Sequence, residues 1–163
     1  MKQTELLLAN ARDYEKLHTL GELPKQPRRK VAVVACMDAR MSVYRVLGLR
    51  EGDAHVIRNA GGAITEDAIR SLTVSQRLLG TREIILIHHL DCGMRMFTDT
   101  EFARQLEAST GIRPTWAAET FVDAEQDVRQ CKARLLACPF LPHTGSVRGF
   151  VYDEKTGALA EVA

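Results

Sequence analysis

Two short runs of apolar residues set the strongest limit on the fold of this chain. Val31–Cys36 and Ile84–Ile87 contain only apolar residues, whereas a strand with one face in water would alternate apolar and polar positions. A strand that is apolar throughout is typical of a parallel sheet, because helices cover both faces of such a sheet. The two runs therefore predict buried, parallel strands.

Helical segments separate these strands along the chain. Thr98 and Glu101 have the spacing of a capping box, which predicts a helix over Asp99–Thr110, and Thr65 is suited to cap another helix. Strands that alternate with helices indicate an α/β fold with a mainly parallel central sheet flanked by helices. Similar patterns predict helices over Thr4–Leu20 and Ala124–Ala137 and strands over Ala54–Arg58, Val147–Tyr152 and Ala158–Val162.

The length and composition fit one globular unit. A chain of 163 residues has room for a single domain, so we expect residues 1–163 to form one. Residues 1–30 supply an N-terminal helix and an arm that Pro24 and Pro27 keep extended. Apolar residues make up 45% of the chain and charged residues 26%, which excludes a disordered tail or a disulfide scaffold.

Charge and hydropathy argue against two classes of partner. The 22 Lys and Arg residues nearly balance the 21 Asp and Glu residues, whereas a nucleic-acid binder usually carries a strongly basic face. No apolar run approaches the ~20 residues that cross a bilayer, and the N-terminus lacks the pattern of a signal peptide. We therefore expect a cytoplasmic protein that binds neither nucleic acid nor membrane, with its four cysteines reduced.

A first group of chemically active residues follows the first apolar strand. If the backbone stays extended over Cys36-Met37-Asp38-Ala39-Arg40, the two-residue period of a strand points Cys36, Asp38 and Arg40 to one side. The planar guanidinium of Arg40 matches a carboxylate, so Arg40 and Asp38 can orient each other. The alternative is that Cys36 is a small core residue followed by a solvated turn.

A second group follows the other apolar strand. His89 and Cys92 have the His-x-x-Cys spacing that presents two ligands to a metal, and nitrogen and sulfur are donors that zinc prefers. His88 and His89 point in opposite directions while the strand persists, so only one of them is expected to be a ligand. Both groups follow strands of one sheet, so a single site can hold Cys36, His89 and Cys92. Three protein ligands leave a position open, as in catalytic zinc sites.

Three motifs together resemble those of the β-class carbonic anhydrases. They occur in the order and at the separations of that family, and the segments Cys36–Arg40 and His89–Met94 are most similar to its short bacterial and archaeal branch. The motifs are Cys36-x-Asp38-x-Arg40, Arg58-Asn59-Ala60-Gly61 and His89-x-x-Cys92-Gly93.

The resemblance implies an activity and an assembly. It implies Zn²⁺ held by Cys36, His89 and Cys92, with Asp38 and Arg40 as the catalytic dyad beside the ion. The implied reaction is reversible hydration of carbon dioxide to bicarbonate and a proton by a lyase. The family also implies a homodimer or a dimer of dimers, in which residues 1–30 pack on the partner subunit.

Two alternatives stay open from the sequence. The same zinc chemistry would serve the hydrolysis of carbon disulfide or carbonyl sulfide, which relatives in the family perform. A zinc-binding dimerisation or regulatory module without catalysis is the other alternative, although it would not need Asp38 and Arg40 beside the metal. The remaining cysteines, Cys131 and Cys138, lie seven residues apart on one helical face, and we expect them to pack in the core.

Overall fold

The computed structural model of the chain describes residues 2–163, which form five strands and five helices. Two 3₁₀ turns, Ala60–Gly62 and Gly93–Arg95, follow the second strand and the third. The strands are β1 (Val31–Cys36), β2 (Ala54–Asn59), β3 (Glu83–His89), β4 (Val147–Tyr152) and β5 (Leu159–Val162), and the helices are α1 (Gln3–Leu17), α2 (Val43–Leu47), α3 (Glu66–Arg77), α4 (Asp99–Thr110) and α5 (Ala124–Leu136).

The strands form one sheet in the order β2-β1-β3-β4-β5. The first four are parallel, and only β5 is antiparallel, to its neighbour β4. In the register, Val31 lies opposite both Ala54 and Glu83, so β1, β2 and β3 run side by side over their lengths. This architecture confirms the predicted α/β fold with a mainly parallel sheet.

Both faces of β1 are buried, as its apolar sequence predicts. Val33 and Ala35 alternate with Ala32 and Val34 and so lie on the opposite face of the sheet, yet all four are fully shielded from solvent. The first pair belongs to one apolar cluster and the second pair to another. A strand buried on both sides gains packing from every residue, which explains why polar positions are missing from it.

The helix signals of the sequence have counterparts in the structure. The Thr98 hydroxyl caps α4 by accepting a hydrogen bond from the amide of Glu101, and the Glu101 carboxylate accepts one from the amide of Thr98. The Thr65 hydroxyl caps α3 by accepting a hydrogen bond from the amide of Ala68. The five-residue helix α2 was not predicted, because a single turn shows no periodicity.

The N-terminal helix α1 is the least integrated element. It ends at Leu17 rather than Leu20, and in the described part of the chain none of its side chains is buried. Leu6, Leu7 and Leu8 are each about half exposed or more. Across residues 2–163, no helix combines the length and the apolar character needed to cross a membrane.

Candidate metal centre

The parallel sheet brings the three predicted ligands to one edge. Cys36 is the last residue of β1, His89 is the last residue of β3, and Cys92 follows three residues later. Because β1 and β3 are adjacent and parallel, their carboxyl ends meet. Donor atoms of Cys36, His89 and Cys92 lie within 4.8 Å of one another, and all three residues are buried.

The end of β2 holds the end of β1 in place. Arg58 donates from Nε to the carbonyl of Cys36 at 2.9 Å and from Nη2 to the carbonyl of Asp38 at 2.6 Å. The amide of Met37 donates to the carbonyl of Asn59 at 2.8 Å. The Arg58-Asn59 motif therefore fixes the backbone that carries both Cys36 and Asp38.

Gly62 packs directly against the same strand end. Its φ of +75° is one that residues with a Cβ disfavour. A Cβ at this position would lie 3.0 Å from the amide nitrogen of Cys36 and 3.2 Å from the carbonyl oxygen of Ile87. Those two backbone atoms belong to β1 and β3. Only glycine lets the turn approach both strands so closely.

The two neighbouring histidines have different partners. His88 points away from the cysteines, with Nε2 at 2.6 Å from Asp127 Oδ2. The Nδ1 of His89 bonds to the carboxylate of Glu154, which accepts the proton and leaves the lone pair on Nε2. Within residues 2–163 this buried Nε2 has no hydrogen-bond partner. His88 and His89 therefore point in different directions, and only His89 lies with Cys36 and Cys92.

Asp38 and Arg40 form an ion pair beside the ligands. Arg40 donates to Asp38 from Nη2 at 2.8 Å, from Nε at 3.0 Å and from its backbone amide at 2.9 Å. Asp38 Oδ2 lies 3.9 Å from His89 Nε2. The expected extended backbone is wrong here: the strand ends at Cys36, and a turn brings the two side chains together.

The charges of these groups shift one another's pKa values. Contact with Cys92 lowers the pKa of Cys36 to about 4, against the opposing effect of burial. The pKa of Cys92 is raised by Cys36 and then by burial, so the pair holds one thiolate and one thiol. Burial opposes protonation of His89, but the neighbouring Cys36 and the Glu154 carboxylate outweigh it and raise the pKa. Hydrogen bonds from Arg40 hold the pKa of Asp38 well below its usual range.

These donors fit a tetrahedral metal ion of the zinc type. Two Zn–S bonds of about 2.3 Å at a tetrahedral angle place the sulfurs about 3.8 Å apart. The Sγ atoms of Cys36 and Cys92 are 3.8 Å apart. With the free Nε2 of His89, the three residues present the nitrogen and sulfur donors that zinc takes, in a site that could hold a metal.

Two side chains of the site were not predicted from the sequence. Glu154 comes from the turn after β4, and Asp91 binds Arg40 Nη1 through Oδ2 at 2.7 Å. The position of Glu154 just past β4, a neighbour of β3, was a signal that could have suggested it. Cys131 is buried as expected and Cys138 packs on the same apolar cluster, although Cys131 also lies near His88 and Asp127.

Comparison with known proteins agrees with this geometry. A model of the carbonic anhydrase family matches residues 31–138. β-Carbonic anhydrase 1 of Mycobacterium tuberculosis (strain H37Rv) is 56% identical over 162 residues, which cover 99% of this chain and 99% of the relative. The crystal structure of a carbonic anhydrase from Streptococcus mutans matches with a TM-score of 0.93 at 40% identity, covering 100% of this chain and 99% of that one.

A second branch of relatives carries a different name. A carbon disulfide hydrolase of Acidithiobacillus thiooxidans is 37% identical over 152 residues, covering 80% of this chain and 76% of its own length. The similarity to the carbonic anhydrases is higher and extends over nearly the whole chain, and it favours an enzyme over a non-catalytic module. This chain belongs to the carbonic anhydrase family, as a member of its β class.

Proposed function

We propose that this chain catalyses the reversible hydration of carbon dioxide to bicarbonate and a proton at a zinc ion held by Cys36, His89 and Cys92. The observation that carries the zinc assignment is the buried, unpartnered Nε2 of His89 in the described chain, facing two sulfur atoms at tetrahedral spacing. Zinc bound there supplies a Lewis acid that makes water a nucleophile near neutral pH.

The role proposed for Asp38 is to orient the attacking water. Its carboxylate stays ionised because Arg40 lowers its pKa, and an ionised carboxylate can only accept hydrogen bonds. It can therefore take one from the water and leave the oxygen lone pair directed at carbon dioxide. Arg40 engages both carboxylate oxygens of Asp38, which keeps this side chain beside the metal ligands rather than among them.

The direct test is stopped-flow hydration of carbon dioxide by the purified protein, with its metal content measured in parallel. We expect turnover that scales with zinc and reaches its maximum at one zinc per chain. Removal of zinc by a chelator should abolish turnover, and added zinc should restore it. Zinc-loaded protein without hydration activity would contradict the proposal.

Carbon disulfide is the second candidate substrate, supported by the hydrolase relative of Acidithiobacillus thiooxidans. A cavity of about 500 Å³ beside the ligand segments is lined mainly by apolar side chains, including Met37, Met94 and Phe97, and suits either small linear molecule. Turnover of carbon dioxide, carbon disulfide and carbonyl sulfide by one preparation separates the candidates. Faster turnover of either sulfur compound would reverse the assignment.

We further propose that the protein is a homodimer in which α1 packs on the partner subunit. A 15-residue helix is marginal in water without tertiary packing, yet α1 leaves Leu6, Leu7 and Leu8 exposed in the single chain. A second copy would cover these side chains. Light scattering should give the mass of two chains, or four for a dimer of dimers, and Leu7→Glu should weaken the assembly. We also propose a cytoplasmic location, where zinc-binding thiols stay reduced.

A further inference from the structure

The turn between β4 and β5 carries a buried carboxylate. Tyr152 of β4 lies opposite His89 of β3 in the parallel register, so the residues just past Tyr152 reach the same edge of the sheet as the metal ligands. Glu154 is one of them, and its side chain is only 8% exposed. Burying a carboxylate is costly unless its oxygens find hydrogen-bond donors.

Glu154 finds its donors in the candidate metal centre. Its carboxylate accepts from Nδ1 of His89, and Oε1 also accepts from the backbone amide of Asp91 at 3.1 Å. The same oxygen lies 3.9 Å from Nη2 of Arg40. One side chain thus contacts a ligand, the loop that leads to Cys92, and the cation of the dyad.

The backbone around Glu154 is held independently of these contacts. The amide of Asp153 donates to the carbonyl of Ala158 at 2.9 Å, and the amide of Gly157 donates to the carbonyl of Asp153 at 2.8 Å. Asp153 Oδ1 accepts from the amide of Lys155 at 2.8 Å. The turn therefore presents Glu154 from a fixed position, so the carboxylate can orient the imidazole rather than follow it.

We propose that Glu154 is a positioning residue of the metal centre, which fixes the ring orientation and tautomer of His89 so that Nε2 faces Cys36 and Cys92. This inference rests on the proposed zinc site. A carboxylate on the outer nitrogen of a metal-binding histidine holds its lone pair on the inner one and increases its strength as a ligand. Without Glu154, the ring can rotate or exchange tautomers.

The test compares zinc release from variants of the zinc-loaded protein. Glu154→Leu removes the acceptor, whereas Glu154→Gln keeps an acceptor oxygen of the same reach and loses the charge. Glu161→Gln is the matched control. Glu161 also follows β4 in the chain and pairs with a cation, but this cation is the exposed Arg148, which is far from the ligands in the sequence. Zinc transfer to an excess of a chromogenic chelator gives the dissociation rate of each protein.

We expect zinc release to be about tenfold faster or more from Glu154→Leu, with an intermediate rate from Glu154→Gln and the wild-type rate from Glu161→Gln. The partial rescue by glutamine identifies the hydrogen bond, because a general loss of packing would not return with an amide. In hydration assays at saturating zinc, kcat should fall while KM for carbon dioxide changes little.

Failure of the zinc site and failure of the positioning role give different results in these measurements. If the wild-type protein holds no zinc, the zinc site is wrong and this inference fails with it. If the wild type holds zinc and both Glu154 variants release it at the wild-type rate, the positioning role alone is overturned. Should Glu154→Leu not fold, a wild-type release rate in Glu154→Gln overturns the proposal by itself.

Discussion

In residues 2–163, two groups of potential metal ligands include neighbouring histidines of β3, and only one group has the donor spacing that zinc takes. Cys36, His89 and Cys92 form one group, while His88, Asp127 and Cys131 form the other. In each group the donor atoms lie within 4.8 Å of one another. Nearness alone does not distinguish the two groups, so the difference lies in the spacing and the bonding of the individual donors.

In the first group the donors are free for a metal. Glu154 occupies the outer nitrogen of His89, and in the described structure nothing occupies the inner one. Contact with Cys92 lowers the pKa of Cys36, which favours its thiolate. A metal ion therefore replaces few existing contacts when it binds.

In the second group one nitrogen of His88 is already committed to Asp127, although its buried Nδ1, like the Nε2 of His89, has no hydrogen-bond partner in the described chain. The Nε2 of His88 shares a hydrogen bond with Asp127 at 2.6 Å, which is too close for both atoms to ligate one tetrahedral ion without moving apart. Burial, followed by the charge of Asp127, raises the pKa of Cys131 to about 11, and the pKa of Cys92 in the first group is raised too, so the thiol pKa values do not separate the groups. The comparison teaches that a metal site needs donors spaced to ligate one ion, and not only donors that are near each other.

The largest expected effect comes from removing a ligand of the first group. Cys92→Ser should lose zinc on dialysis and reduce hydration activity by more than about a hundredfold, because a hydroxyl does not replace a thiolate donor. Metal analysis and stopped-flow assays measure both effects. Cys131→Ser and Cys138→Ser are the controls and should keep full zinc. Zinc retained by Cys92→Ser, or lost by Cys131→Ser, would break the distinction between the groups.

The next effect separates ligands from their neighbours. Asp38→Ala should keep one zinc per chain yet lose about a hundredfold or more in kcat, because the carboxylate orients water and does not hold the metal. Arg40→Ala should act in the same direction, since Asp38 is then free to swing toward the ion. Near-normal kcat in both variants would remove the pair from the mechanism.

A smaller effect, on pH dependence, follows from the charge of the first group. Two thiolates neutralise the charge of Zn²⁺, whereas three neutral imidazoles leave it at +2 and give a coordinated water with a pKa of about 7. Less positive charge favours hydroxide less, so kcat/KM should rise toward alkaline pH. Titration of Asp38 does not cause this rise, because Arg40 keeps the pKa of Asp38 low and its carboxylate ionised throughout this pH range. Assays from about pH 6 to about pH 9 test this, and a flat or acidic profile would contradict it.

The smallest effect concerns the second group, where we expect a change in stability and not in metal content. Asp127→Ala leaves the Nε2 of His88 buried without its partner, which should lower the free energy of unfolding by about 1–3 kcal/mol. Asp127→Asn keeps an acceptor and should lose less. Denaturant unfolding and zinc analysis on both variants measure this, and any loss of zinc would give the second group a role in metal binding.

The sequence predicts the contacts that follow from the positions of the strands and misses the contacts that follow from the shapes of the turns. The convergence of Cys36, His89 and Cys92 follows from parallel strands that end at one edge, and the apolar runs already indicate such strands. The pairing of Asp38 with Arg40 was expected from an extended backbone, but a turn produces it. The position of Glu154 just past β4 could have placed it near this edge, but its contact with His89 depends on the shape of the turn after β4, and no sequence period encodes that shape.

The parallel pairing of β1 with β3 also sets when in folding a metal ion can be captured. Cys36 and Cys92 are 56 residues apart, and His89 and Glu154 are 65 apart, so the centre needs non-local contacts beyond the local pair of His89 and Cys92. Such contacts form late, because the entropy of closing long loops opposes them until the strands pair. A zinc ion at the proposed site would therefore find its full ligand set only after β1 and β3 pair, unlike in a zinc finger with closely spaced ligands. Its capture marks the completed sheet, and any agent that opens β3 should release the ion without touching a ligand.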